Sequence, residues 1–346
     1  MNKPFLFLLL VLCAVIVLAA AQPKIPELPN AVTSNAVVAI KGGIEVYSLM
    51  GMGTKKTWDD ITNRVFQLRM KTGKWVEGRP VPGVAGRLGS SAIGAKDKIY
   101  VFGGYTVDGQ GSESIVSDVN VYMPDERRWY RAADLPIPVD RAVIGVTHDR
   151  FIYIVGGRSP KGPVNNVQVY DVERNVWTEA TPFPGTPVFG HAGGVADEKI
   201  VYVGGARKDP ADGNKYVTSD ECWIGRIDKK DPNKIEWSKL PAHPGTGRFG
   251  IVAGAGEHEH HILFSGGTIT PYNFKGVDAD GKPPEFSFVT FAFESHGDRW
   301  ETIEDDTDDV RADTRGIAFT PIGPLVVGGM LKNSAISARV LELPKR

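Results

Sequence analysis

The stretch KIYVFGG at residues 98–104 recurs along the chain. It returns as FIYIVGG at 151–157, KIVYVGG at 199–205, HILFSGG at 261–267 and GPLVVGG at 323–329, with a degenerate copy, IEVYSLMGMG, at 44–53. Taking Gly51 in the weak copy, the glycine landmarks fall at 51, 103, 156, 204, 266 and 328, spaced by 52, 53, 48, 62 and 62 residues. A second landmark keeps step: Trp75, Trp129, Trp177, Trp237 and Trp300 lie 54, 48, 60 and 63 residues apart. A period of this length marks one supersecondary unit per repeat.

Each repeat reads as four short strands. The first opens just after an Arg in most copies, as in GRLGSSAIGA (86–95) and DRAVIGVT (140–147). A tight polar turn such as Ala95-Lys96-Asp97-Lys98 leads to the second strand, which is apolar throughout and ends at the glycines. The third alternates, as in VNVYMP (119–124) and VQVYDV (167–172). The fourth begins at the Trp and runs to a Leu-Pro or Phe-Pro element, as in WYRAADLPIP (129–138) and WTEATPFP (177–184). A strand apolar on both faces requires sheets packed on both sides of it. Paired glycines suit a strand end where another backbone comes close and the chain leaves with positive φ.

The Gly-Gly, Tyr and Trp pattern, at about fifty residues per repeat, resembles the Kelch repeat family. The resemblance spans essentially all of residues 22–346 and implies an all-β fold: a six-bladed Kelch-type β-propeller, four antiparallel strands per blade, around a central channel. Repeat one has Gly51-Met52-Gly53 instead of a glycine pair, and repeat six has no Trp and no fourth strand before Arg346. PKIPELPNAV at 23–32 supplies a replacement, because Leu28-Pro29 matches the end of the other fourth strands. Lys24 to Leu28 is therefore expected as the outer strand of the last blade, closing the ring and hiding an edge.

Composition narrows the function. The 346 residues carry 40 Lys+Arg and 41 Asp+Glu, a net charge of −1, which argues against nucleic acid as the partner. Lys3, the apolar run from Phe5 to Leu18 and Ala19-Ala20-Ala21 read as a signal peptide over 1–21. Residues 22–346 are expected to form a single propeller domain, periplasmic or secreted, with no membrane span after cleavage and monomeric. That leaves Cys222 as the lone cysteine, read as a small buried hydrophobe. The acidic run Glu304-Asp305-Asp306-Thr307-Asp308-Asp309 reads as a solvated loop.

The resemblance implies that ligands bind on the face shared by the fourth-to-first and second-to-third loops. Aligning the repeats puts Asn35, Arg87, Arg141, Val188, Arg248 and Arg315 at the start of the first strands, a predicted rim of four guanidiniums suited to a carboxylate. The same repetition suits a packing role between blades, and both roles are open. The long loops 105–117, 206–218 and 268–285 offer Tyr105, Asp108, Glu113, Arg207, Lys208, Asp212, Tyr216, Tyr272 and Asn273, a mixture that suits a sugar. His191 stands near the channel, as a structural or catalytic histidine. His258-Glu259-His260-His261 has metal-ligating residue types. It fills the first-to-second turn of blade five, however, where a tight turn scatters them, so no metal and no cofactor is expected.

Three functions compete. The first is a binding module for carbohydrate or protein on the long-loop face. The second is a sugar-acid mutarotase or epimerase of the N-acetylneuraminate type, with Arg248 or Arg141 on the carboxylate and Glu113, Asp212 or His191 moving protons. The third, a copper radical oxidase of the galactose oxidase kind, is disfavoured because no Tyr-His pair accompanies Cys222.

Overall fold

In the computed structural model, which describes residues 25–256, 260–303, 309 and 311–345, the apolar heptapeptides are the second strands of antiparallel sheets. Blade three shows the plan: Val143–Thr147, Phe151–Val155, Val167–Asp171 and Val176–Ala180 pair in sequence order. Five such four-stranded sheets and a sixth of three strands form a ring in which the first strands of neighbouring blades adjoin around the axis. The first-to-second turns are tight hairpins whose central residues, Lys96-Asp97, His148-Asp149 and Asp197-Glu198, all lie in the left-handed region, as the two-residue hairpin turn requires.

The core is not one mass. It is divided into wedges, each between two neighbouring blades, as expected when the second strands are apolar on both faces. In the wedge between blades two and three, Phe102, Tyr100, Ile152, Ile154 and Tyr170 are buried together. Trp177 stands 5.0 Å from Tyr170 and edge-on to Phe102.

The repeated tryptophan stitches each blade to the one before it. Trp177 Nε1 donates to Ala133 O at 2.9 Å, and Trp129 to Arg79 O, Trp237 to Thr181 O and Trp300 to Pro241 O at 2.9–3.0 Å. Trp75 has the same bond, at 2.9 Å, to Pro26 O in the N-terminal segment. That segment thus holds the place of the missing fourth strand. Beside the last blade's three strands (Ala318–Thr320, Gly323–Val327 and Val340–Glu342), Leu28 N–H donates to Ala338 O at 2.7 Å and Leu28 is buried. The expected ring closure is present over Ile25 to Leu28, although its bonds are too few to make a regular strand; Lys24 lies outside the described residues.

The glycine pairs take positive φ at both residues in all five copies. A Cβ at Gly103 would stand 2.2 Å from Val139 O of the next blade, so no side chain fits there. Blade one corrects the sequence reading: its pair is Met50-Gly51 (φ 58° and 107°), and Gly53 plays no part in it. The signal peptide and most of the acidic run lie outside the described residues. No helix among the described residues is long and apolar enough to cross a membrane.

Candidate functional site

Two circuits of inter-blade backbone bonds fix the residues at the axis. In the first, the second glycine of each pair donates to the residue leading into the next blade: Gly104 to Val139, Gly157 to Val188, Gly205 to Arg248, Gly267 to Arg311, Gly329 to Val32 and Gly51 to Arg87. This register makes Arg87, Arg248 and Arg311 equivalent. The alignment read from sequence is therefore corrected in three blades: Asn35, Arg141 and Arg315 lie beyond the equivalent residues Val32, Val139 and Arg311.

The equivalent arginines are struts. Arg87 Nη1 donates to Gly103 O and Asp118 O, and Arg248 Nη1 to Gly266 O and Val289 O. Arg311 Nη1 does the same to Gly328 O and Arg339 O. Each ties the end of a second strand to the lead-in of the third, and all three are buried. Burial pulls Arg87 and Arg248 down to about 10. The expected four-guanidinium rim is absent, because these side chains turn into the blade where backbone carbonyls need donors.

The second circuit closes the axis. Ser34, Gly89, Arg141, Gly190, Gly250 and Asp313 all take φ between 49° and 63°. Arg141 N–H donates to Gly89 O, Gly190 to Arg141 O, Gly250 to Gly190 O, Asp313 to Gly250 O and Ser34 to Asp313 O, at 2.5–3.2 Å. Gly89 N–H completes the loop on Ser34 Oγ at 3.1 Å. Three of the six positions are glycine, the residue for which this conformation carries no penalty. Arg141 and Asp313 hold it with full side chains, and strain of this kind collects at functional sites.

On the hairpin side of this circuit lies a cup of about 1080 Å³, walled by the first strands and floored by Ala142, His191, Ile251, Thr314 and Arg315. His191 Nε2 bonds Val155 O at 2.9 Å while Nδ1 has no partner, and burial pushes its pKa down to about 3. It is a neutral residue of the cup floor. Arg315 donates to Ala142 O across the axis.

On the loop side lies a charged cluster. Asp140, fully buried, pairs with Arg158, which also holds Glu113 Oε2 at 2.6 Å. Arg141 bonds the Tyr105 hydroxyl and lies 4.6 Å over that ring, with Phe189 and Phe249 each 6.0 Å away. Burial works against its charge, but Tyr105, Asp140 and Asp313 outweigh this and raise its pKa. Asp313 accepts from Thr33 Oγ1 at 3.1 Å, and burial raises its pKa against the opposing pull of Arg141. Tyr272 is buried against Phe249 and also raised by burial. Among the described residues, seven buried side-chain polar atoms make no hydrogen bond, and three of them, Asp140 Oδ1, Arg141 Nε and Tyr272 OH, fall in this cluster; the others are Asn35 Oδ1, His191 Nδ1, Tyr202 OH and Arg248 Nε.

Of the predicted site residues, the structure brings Arg141, Glu113 and Tyr272 into this cluster, with Tyr105. It puts His191 on the cup side, Arg315 at the axis where it lines the cup and its charge also acts on Asp313, Arg141 and Tyr272, Arg87 and Arg248 inside blades, and Asp212 at a loop tip where it caps the Asn214 N–H. Asp140, Arg158 and Asp313 were not singled out from sequence. Only the true register reveals Asp313 as the counterpart of Arg141. The loops of blades two, three and four rise as small hairpins, Tyr105–Val107 with Glu113–Ile115, Arg158–Ser159 with Gly162–Pro163, and Ala206–Lys208 with Tyr216–Thr218.

Comparison with known proteins places residues 34–267 in a match to the family described as the KLHDC2/KLHL20/DRC7 Kelch-repeats domain. Human Kelch-like protein 34 is 28% identical over 190 residues, 53% of this chain but 27% of that protein. Beta-scruin of Limulus polyphemus is 30% identical over 191 residues, 53% of this chain and 19% of that protein. The chain thus matches only a minor part of these relatives' length. A solved structure titled "Structure of YjhT" superposes with a TM-score of 0.72 at 18% identity, covering 91% of this chain and 95% of that one, a likeness of fold.

Proposed function

This chain belongs to the Kelch-repeat family, and from that premise we propose that it is an exported binding module whose loop face takes a hydroxylated, carboxylate-bearing ligand over Arg141. One observation carries the reading: in one charged cluster the buried Arg141 Nε and Tyr272 OH make no hydrogen bond, and buried Asp140 Oδ1 makes none either, meeting only Arg141 Nη1 at 3.6 Å. A buried polar atom without a partner costs about 1–3 kcal/mol, and such atoms call for a functional account. The cluster runs outward from buried Asp140 and Arg141 through Arg158 to Glu113; Arg158 is matched by the two carboxylates it holds, which leaves Arg141 as the cation for an acidic ligand. The leader pattern at 1–21 supports export, and the raised loop hairpins support either a sugar or a protein segment as the ligand's carrier.

A second reading is sugar-acid mutarotation. Asp313, whose pKa burial raises and which stands beside Tyr272, would be the group that gives and retakes a proton, and Arg141 the cation for the substrate carboxylate. Glu113 is already engaged by Arg158, and His191 faces the cup, so Asp313 replaces them as the proton carrier in this reading. Proton NMR of freshly dissolved N-acetylneuraminic acid with the protein tests both. Selective line broadening lost in Arg141→Ala supports the binding module. Faster anomer exchange lost in Asp313→Asn moves it to the enzyme class. No effect at millimolar sugar removes sugar acids as the ligand.

A further inference from the structure

On the opposite face, three side chains from separate turns meet. Asp197 sits in the first-to-second turn of blade four, His260 in that of blade five and His296 in the third-to-fourth turn of blade five. His260 Nδ1 lies 2.9 Å from Asp197 Oδ2, His296 Nε2 lies 3.5 Å from the same atom, and the three ligand atoms fall within 4.8 Å of one another. The imidazole rings are 4.1 Å apart, centre to centre. We propose that Asp197, His260 and His296 form a binding site for a divalent transition-metal ion of the zinc class, bridging blades four and five at the lip of the axial cup.

The geometry fits the ion. Bonds of about 2.0–2.1 Å in a tetrahedron set neighbouring N and O ligands about 3.3 Å apart, which matches the 2.9 and 3.5 Å separations. Two imidazoles and one carboxylate select a borderline ion over calcium or magnesium, which take oxygen shells. All three residues are exposed, so a fourth position is open to water.

The surroundings are built as an outer shell. Buried Ser295 donates its hydroxyl to Asp197, and its N–H to His260 O at 2.9 Å, fixing two of the three ligands. Glu294 Oε1 lies 3.8 Å from His296 Nδ1, the ring nitrogen turned away from Asp197. Glu294 Oε1 also accepts the His296 backbone N–H at 2.7 Å, which fixes the turn that carries the ligand and leaves a negative charge beside its ring. Arg299 in turn holds Glu294 at 3.3 Å. Of the four-residue His motif, His260 takes part in this convergence, while His258 and Glu259 lie outside the described residues.

Calorimetric titration of zinc chloride into the tag-free protein tests the site. The expected result is one Zn²⁺ per chain, binding weakened at least tenfold by His296→Ala and by Asp197→Asn, weakened less by Glu294→Gln, and no uptake of Ca²⁺. Asp197, His260 and His296 are exposed and Glu294 is buried, so coincident melting curves in EDTA check that each variant is folded. The proposal is overturned by a wild type that takes up no zinc, or by His260→Ala and His296→Ala proteins that bind it as tightly as wild type.

Discussion

Arg248 gives its guanidinium to Gly266 O, Val289 O and Pro244 O inside a blade, whereas Arg141 holds a left-handed φ and reaches Tyr105 at the axis. Their substitutions should differ in kind. Arg248→Ala strands three carbonyl acceptors and is expected to cost about 3 kcal/mol or more in urea unfolding. Arg141→Gly installs the residue found at the same position in blades two, four and five, and is expected to cost far less while removing ligand binding. His191 carries a pH signature. Its folded pKa of about 3 lies below the ordinary 6.5, so the unfolded chain binds the extra proton. The stability it contributes is complete above pH 6.5 and lost as pH falls toward 3, by about 1.4 kcal/mol per pH unit. Urea midpoints at pH 6.5, 5.5 and 4.5 should show a shallower decline in His191→Gln; an identical slope would count against a neutral buried imidazole. The sequence reading misplaced these roles because Arg311 and Arg315, like Val139 and Arg141, sit within four residues in a loop that has no strand period to set the offset.

Among the elements, the N-terminal segment and the tryptophans are the clearest case of a pattern read correctly. Leu28-Pro29 matched the ends of the other fourth strands, and in the structure Trp75 finds Pro26 O in that segment as Trp129 finds Arg79 O. Protein beginning at Thr33 should lose cooperative unfolding and melt lower, since it exposes the edge that Leu28 and Val32 cover on Ala338 and Ser337. An unchanged calorimetric melt would refute closure. The blades were legible because glycine pairs and tryptophans answer to packing that every repeat shares. The site was legible only in part: Tyr105, Glu113, Arg141 and Tyr272 stood out as loop and rim residues, whereas Asp140, Arg158 and Asp313 did not, because the loops that carry them differ from blade to blade. The metal cluster was hidden for a related reason: Asp197 and His260 are 63 residues apart and meet only through blade packing.

At the scale of the whole molecule, the all-β ring divides into two compartments, a cup open through the hairpin face and a charged cluster under the loop face. The loop-face and hairpin-face sites are therefore expected to be independent: zinc should leave sugar-acid line broadening unchanged, as paired titrations would show. The six-amide circuit between them has a consequence of its own. A hydrogen-bonded chain with ends can fray from either end, but a loop has none. Ser34, Gly89, Arg141, Gly190, Gly250 and Asp313 should give up their amide protons to deuterium together, at one rate, and only when a blade leaves. The molecule then works like a hooped barrel, whose lifetime is set by the rare event that snaps the hoop rather than by the looseness of any stave.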